Sequence, residues 1–208
     1  TATTVAKGPL SEATTNQPGA TGNADFGYFS GGSNPSSGVV SKVDRIDYSN
    51  DTATAVVKGP LSLARGYLAA AGNSNFGYFG GGFPGPRVST VDRIDYSNDT
   101  ATAPAKGPLS AAKIYHSATG NGSFGYFGGG IPGPLSTVDR IDYSSDTGTA
   151  PSKGPLNTAG AYLAASSSRA NAMPLKGPGI LEVPVSFGAF SRLVPQGTDF
   201  GYFAGAYP

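Results

Sequence analysis

Residues 73–110 read NSNFGYFGGGFPGPRVSTVDRIDYSNDTATAPAKGPLS, and this stretch decides the fold. In FGYF, Phe76 and Tyr78 alternate, so both rings share one face of an extended strand. Gly77 between them leaves room for a neighbouring backbone. A glycine-rich loop with Pro84 follows, then VDRIDYS as a further strand, with Ile94 and Tyr96 on one side and Arg93 and Asp95 on the other. Asn98-Asp99 makes a turn, TATAPA reads as a weak outer strand, and Gly107-Pro108 stops it. Upstream, ARGYLAAAG supplies another strand. It ends at Gly72-Asn73, a pair suited to a tight hairpin because both residues tolerate positive φ.

The same text recurs on both sides. Residues 23–62 read NADFGYFSGGSNPSSGVVSKVDRIDYSNDTATAVVKGPLS, and residues 121–157 read NGSFGYFGGGIPGPLSTVDRIDYSSDTGTAPSKGPLN. The chain opens on the tail of a unit, TATTVAKGPLS, and closes on the head of another, FGYFAGAYP. One repeat domain over 1–208 thus divides into units at about 1–11, 12–62, 63–110, 111–157 and 158–208. The last unit carries an insert over about 166–199, in which ILEVPVSF reads as an extra strand, at an edge because of Pro184. Four short strands joined by tight turns and repeated every 40 to 50 residues are the pattern of a β-propeller blade. A lone sheet of this kind buries too little, whereas stacked sheets cover both faces of the middle strands.

Composition narrows the function. Charged residues make up 13% of the chain, against about a quarter in an ordinary soluble domain, and the net charge is +1 with no basic run. A nucleic-acid surface needs clustered cations, so that partner is not expected. The absence of Cys excludes disulfides and thiolate chemistry. No apolar stretch approaches the ~20 residues of a membrane-spanning helix, so no membrane insertion is expected. A start at polar Thr1, without a basic region, points to a processed, trimmed or partial chain rather than a signal peptide.

The unit resembles the kelch repeat. The matching features are a strand ending in Gly31-Gly32, Gly80-Gly81-Gly82 or Gly128-Gly129-Gly130, then a variable loop and a strand reaching Tyr48, Tyr96 or Tyr143. A Pro-containing link follows, with Arg65 or Lys113 at the position where the family often has Arg. The Trp usual in the outer strand is missing, and Thr and Ala stand there, which predicts a less firmly anchored strand. The resemblance covers about residues 1–165 and implies a kelch-like all-β propeller, with about four four-stranded blades visible, either a small ring, a fragment of a larger propeller, or one part of an oligomer. The wording FGYFGGG…STVDRIDYSNDTATA…KGPLS is most similar to kelch-like repeats in virion structural or tail-fibre-like proteins of phages infecting cyanobacteria. That similarity implies a virion or extracellular setting, with other virion proteins or a host-surface protein or glycan as partners.

Candidate chemistry is sparse. The propeller architecture also occurs in copper radical oxidases, but a single His and no Cys cannot build that site. His116 is expected at the surface or a blade edge, and it stands outside any nucleophile-elbow pattern. GGG precedes a strand, so no helix N-terminus is present to hold a phosphate. Asp51, Asp99 and Asp146 are expected to close their own turns rather than to bind calcium. Arg45, Arg93 and Arg140 recur beside Asp44/Asp47, Asp92/Asp95 and Asp139/Asp142, as a ladder of Arg–Asp pairs between stacked sheets would. The acceptor sequons at Asn50, Asn98 and Asn121 are incidental in a phage protein.

No catalytic residue, metal ligand or cofactor is expected, and the reading is a non-enzymatic structural or adhesive module. The alternative is a secreted or intracellular propeller holding a protein or glycan. The units differ from one another after the glycines and in the first strand, regions that lie together around one rim and the central channel of a propeller. Candidate contacts there are Tyr67, Phe83, Pro84, Arg87, Tyr115, Ile131 and Pro132. Exposed strand edges in an open stack would favour a homo-oligomer.

Overall fold

The computed structural model describes residues 3–167 and 201–204, and they form an all-β protein. The first sheet has β1 (Gly19–Gly22), β2 (Phe26–Ser30), β5 (Val43–Asp47) and β6 (Val56–Lys58) in that order. A small hairpin, β3 (Ser33–Asn34) with β4 (Gly38–Val39), occupies its variable loop. The second sheet orders β7 (Ala69–Gly72), β8 (Phe76–Gly80), β9 (Val91–Asp95) and β10 (Ala105–Lys106). The third orders β11 (Ser117–Gly120), β12 (Phe124–Gly128), β13 (Val138–Asp142) and β14 (Ser152–Lys153). A further hairpin pairs β15 (Ala164–Ser167) with β16 (Gly201–Ala204). All of these pairings are antiparallel. The expected edge strand at ILEVPVSF lies outside the described residues.

Local chemistry corrects several expectations. The hairpin turn needs no positive φ at Gly72 or Asn73. Instead Asn73 donates its N–H to the Phe76 carbonyl at 3.0 Å, and its side-chain oxygen accepts from Asn75 and Phe76 N–H, each at 2.9 Å. Gly72 is required because a Cβ there would strike the Phe76 carbonyl. The third strand stops at Asp95, and Tyr96–Asn98 is a single 3-10 turn whose cap is the Asp95 carboxylate, accepting from Ser97 N–H at 2.9 Å. The outer strands are shorter than TATAPA and sit later, ending at Lys58, Lys106 and Lys153. Their ladders run over only two or three residues.

First strands approach one another, β1 against β7, β7 against β11, and β11 against β15. Register then decides which side chains meet. In the second sheet Tyr78 lies opposite Arg93, and Phe79 opposite Asp92. Tyr78 and Val91 therefore face the third sheet, packing with Phe127, Leu109 and Ile141. Phe79 and Ile94 face the first, packing with Val43, Leu68 and Tyr28. The middle sheet thus buries both faces, as a stack requires.

The junctions carry a repeated polar clamp. Tyr28 stacks on Tyr96 at 4.7 Å, and its hydroxyl donates to Asp99 Oδ2 at 2.9 Å. Arg45 donates to the same oxygen at 2.8 Å while lying 4.2 Å over the Phe26 ring, and Lys58 reaches Asp99 Oδ1 at 3.1 Å. The next junction repeats it: Tyr78 stacks on Tyr143 at 4.8 Å, and Tyr78, Arg93 and Lys106 reach Asp146 at 3.0, 2.7 and 3.4 Å. Burial alone would raise the Asp99 carboxyl, but Lys58, Tyr28 and Arg45 outweigh it and hold the group below the usual carboxylate range. Asp99 and Asp146 therefore bind the neighbouring sheet rather than their own turns. The Arg–Asp ladder exists, with these distant aspartates as partners instead of the adjacent ones. Gly77 admits side chains rather than a backbone, since a Cβ would meet the Thr21 methyl and the Tyr96 hydroxyl.

A second, fully buried ion pair ties the lead-ins of the second and third units to their own sheets. Arg65 donates to Asp92 at 2.8 Å and to the Phe79 carbonyl at 2.9 Å, and the Ser62 hydroxyl donates to the other Asp92 oxygen at 2.6 Å. Lys113 takes the same place against Asp139 at 2.8 Å. The paired glycines link units at the opposite end of β8 from its hairpin. Gly81 and Gly82 hold φ of +67° and +109°, and Gly82 N–H reaches the Lys113 carbonyl of the next unit at 2.9 Å.

Candidate recognition site

The variable loop and the lead-in of the first strand meet at the end of each sheet where the glycines turn the chain. Phe83 and Gly66 form a bridge, with Phe83 N–H donating to the Gly66 carbonyl at 2.9 Å. Ile131 and Ile114 do the same at 3.0 Å. Tyr67 and Tyr115 follow directly on Gly66 and Ile114. The candidate residues Tyr67 with Phe83, and Tyr115 with Ile131, are thereby brought to one rim.

The tyrosines themselves form a row. Tyr67 meets Tyr115 edge-on at 4.7 Å, and Tyr115 stacks on Tyr162 at 4.3 Å. Backbone bonds knit the row across units, Tyr67 N–H to the Asn16 carbonyl and Tyr162 N–H to the Tyr115 carbonyl, both at 2.8 Å. Each of the three sits in the left-handed region, at φ of +58°, +55° and +58°. That conformation is strained for a bulky side chain, by about 1 kcal/mol or more per residue. Burial, then the neighbouring phenols of Tyr67 and Tyr162, push the Tyr115 hydroxyl up to about 12. Tyr162 is 55% exposed, and Tyr67 and Tyr115 are half-buried. Tyr162 was missed as a candidate although AGAYLAA aligns with ARGYLAA, so the signal was present. In the first unit Asn16 and Gln17 take the left-handed turn instead.

Other candidates stand apart. Arg87 and Pro132 are exposed and Pro84 is half-buried, all in the outer part of the loops. They make no hydrogen bond or ion pair with the tyrosines among the described residues. A cleft of about 440 Å³ lies at the opposite rim, lined by Asn23, Asn75, Phe76, Asp95 and Tyr96. Its Asn23 and Asp95 oxygens are already engaged in capping turns.

His116 corrects an expectation. It is buried between the second and third sheets, with Nε2 3.1 Å from the Gly80 carbonyl and its ring 6.2 Å from Phe127. Burial, helped by the Lys113 cation, pushes its pKa down to about 3. The left-handed turn at Tyr115 reverses the usual alternation, sending Tyr115 to the rim and His116 inward, where the second unit has Leu68. Among the described residues no three His, Asp or Glu gather as metal ligands, and no helix is long and apolar enough to cross a membrane. No protein-family model matches the chain, and no curated protein matches it.

Proposed function

We propose that the chain is a kelch-like β-propeller module that serves a phage particle as a non-enzymatic adhesive part, with the Tyr67–Tyr115–Tyr162 rim as its contact surface. One observation carries the reading: three consecutive units hold a tyrosine in a strained backbone conformation and present the rings together, partly open to solvent. Strain maintained at equivalent positions points to function more than to packing. Tyrosine is also a preferred anchor at protein contact surfaces, presenting a rigid, amphipathic ring.

The like-ordered sheets, converging at their first strands, support the propeller geometry. The kelch-like wording of the units supports the phage setting. The burial of the single histidine, with its basicity suppressed, supports a role without acid–base catalysis. The partner is a protein or glycan of the host surface. Joint replacement Tyr67→Ala, Tyr115→Ala and Tyr162→Ala is expected to lower binding to host cells by about tenfold or more, each lost anchor removing on the order of 1 kcal/mol. A matched substitution of Ser74, on the opposite rim, leaves binding unchanged. Equal binding by the triple variant refutes the site.

A further inference from the structure

Each four-stranded sheet holds a buried aspartate at the same place on its third strand: Asp44, Asp92 and Asp139. The three differ in the cation that faces them. Asp92 receives an aligned hydrogen bond from the Arg65 guanidinium at 2.8 Å, and that group is never deprotonated in a protein. Asp44 has Lys42 as its cation, 4.0 Å away, partly exposed and held by Glu12 at 2.7 Å. Asp139 faces a primary amine sealed in with it, since the Lys113 and Asp139 side chains are both 0% exposed.

Two replacements in the third unit meet at this carboxyl. Lys113 stands where the second unit has Arg65, and unlike a guanidinium a buried amine can lose its charge and act as a nucleophile. Ser152 stands where the second unit has Ala105, directly across the ladder from the aspartate in each sheet. Its hydroxyl reaches Asp139 Oδ1 at 3.2 Å, and the Ser110 hydroxyl donates to the same oxygen at 2.5 Å. The two carboxyl oxygens are therefore unlike. Oδ1 accepts two hydroxyl hydrogen bonds, whereas Oδ2 has no aligned donor among the described residues although Lys113 Nζ stands 2.8 Å from it.

We infer that Lys113 and Asp139 condense spontaneously into an isopeptide bond. An amine and a carboxyl shut off from solvent meet no substrate, but they can react with each other. Held in contact, they gain the effective concentration of an intramolecular reaction. The ammonium first passes a proton to Oδ2, leaving a neutral amine and a carboxylic acid, an exchange favoured where charge is poorly solvated. The Nζ lone pair then attacks Cγ and the N–C bond forms. Negative charge develops on Oδ1, where the Ser110 and Ser152 hydroxyls already point. A second proton moves from Nζ to Oδ2, the Cγ–Oδ2 bond breaks with its electron pair, and Oδ2 departs as water. The third Nζ proton stays on the amide, and Oδ1 becomes its carbonyl oxygen with both serine hydrogen bonds kept. No co-reactant is consumed. The bond fastens the lead-in to β11, two residues ahead of Tyr115, onto β13.

Intact-mass measurement of the full chain, as purified and after incubation at neutral pH, tests this. The wild type is expected to be lighter than its sequence by one water. Its digest is expected to contain a branched peptide joining the Lys113 and Asp139 segments. Lys113→Arg recreates the pair found at Arg65 and Asp92, and with its fold checked by circular dichroism it is expected at the full sequence mass. Ser152→Ala, matching Ala105, removes one donor at Oδ1 and is expected to slow the mass loss about tenfold or more. A wild type that keeps its full mass after prolonged incubation overturns the inference. So does a water loss that survives Lys113→Arg, because it then arises elsewhere in the chain.

Discussion

The junctions between sheets and the rim above them use tyrosine in opposite ways. At the junctions Tyr28 and Tyr78 lie in regular strands, fully buried, with each ring stacked and each hydroxyl bound to an aspartate. At the rim Tyr67, Tyr115 and Tyr162 lie in left-handed turns, with rings partly exposed and stacked only on one another. The first group stabilises by giving each buried tyrosine hydroxyl a carboxylate partner in a low-dielectric setting. The second accepts backbone strain and gains little burial in return. That asymmetry separates the scaffold from the proposed contact surface more sharply than sequence variation does.

Removing a junction acceptor should have the largest effect. Asp146→Ala leaves Tyr78, Arg93 and Lys106 without their shared partner in a mostly buried place, and a loss of about 3 kcal/mol is expected from chemical denaturation. The corresponding changes at the rim should stay well below that.

Neighbouring residues sharpen the contrast, because Tyr115 belongs to the rim and His116 to the junction. The His116 pKa falls from its ordinary value to about 3 on folding, so the unfolded chain binds the extra proton first as pH drops. Its stability contribution is intact above about pH 6.5, the unfolded value, and is lost progressively down to the folded one. The loss from this group is about 2 kcal/mol at about pH 5, and His116→Leu, matching Leu68, should remove that slope from the pH–stability curve. An unchanged slope would show that other groups carry it.

The smallest effect concerns strain alone. Glycine adopts positive φ freely and alanine does not, so Tyr115→Gly should be about as stable as Tyr115→Ala or up to about 1 kcal/mol more stable, despite the greater entropy of an unfolded glycine. Calorimetry of the two variants reads the difference directly. A more stable alanine variant would mean that the left-handed turn relaxes once the ring is gone.

Much of this was legible because the cues are local. Alternation in FGYF placed Phe76 and Tyr78 on one face, and the glycine pairs marked the turns at Gly81-Gly82 and their equivalents. The aspartates misled because two of them, four residues apart, compete for one turn. Asp95 takes the cap, which frees Asp99 for Tyr28, 71 residues away in sequence. No local pattern carries a partner at that separation. His116 was misplaced for a related reason: strict alternation fails at a left-handed residue, and tyrosine gives no hint that it will adopt one. The rim was legible as a region through disagreement between units, while its tyrosine row needed the inter-unit bonds to become visible.

The clamp also bears on how such a gene changes. Both clamped junctions join the same donors to the same turn, so an extra unit inserted between two others meets a fitting neighbour on both sides. Copy number is then free to vary without a new interface having to evolve.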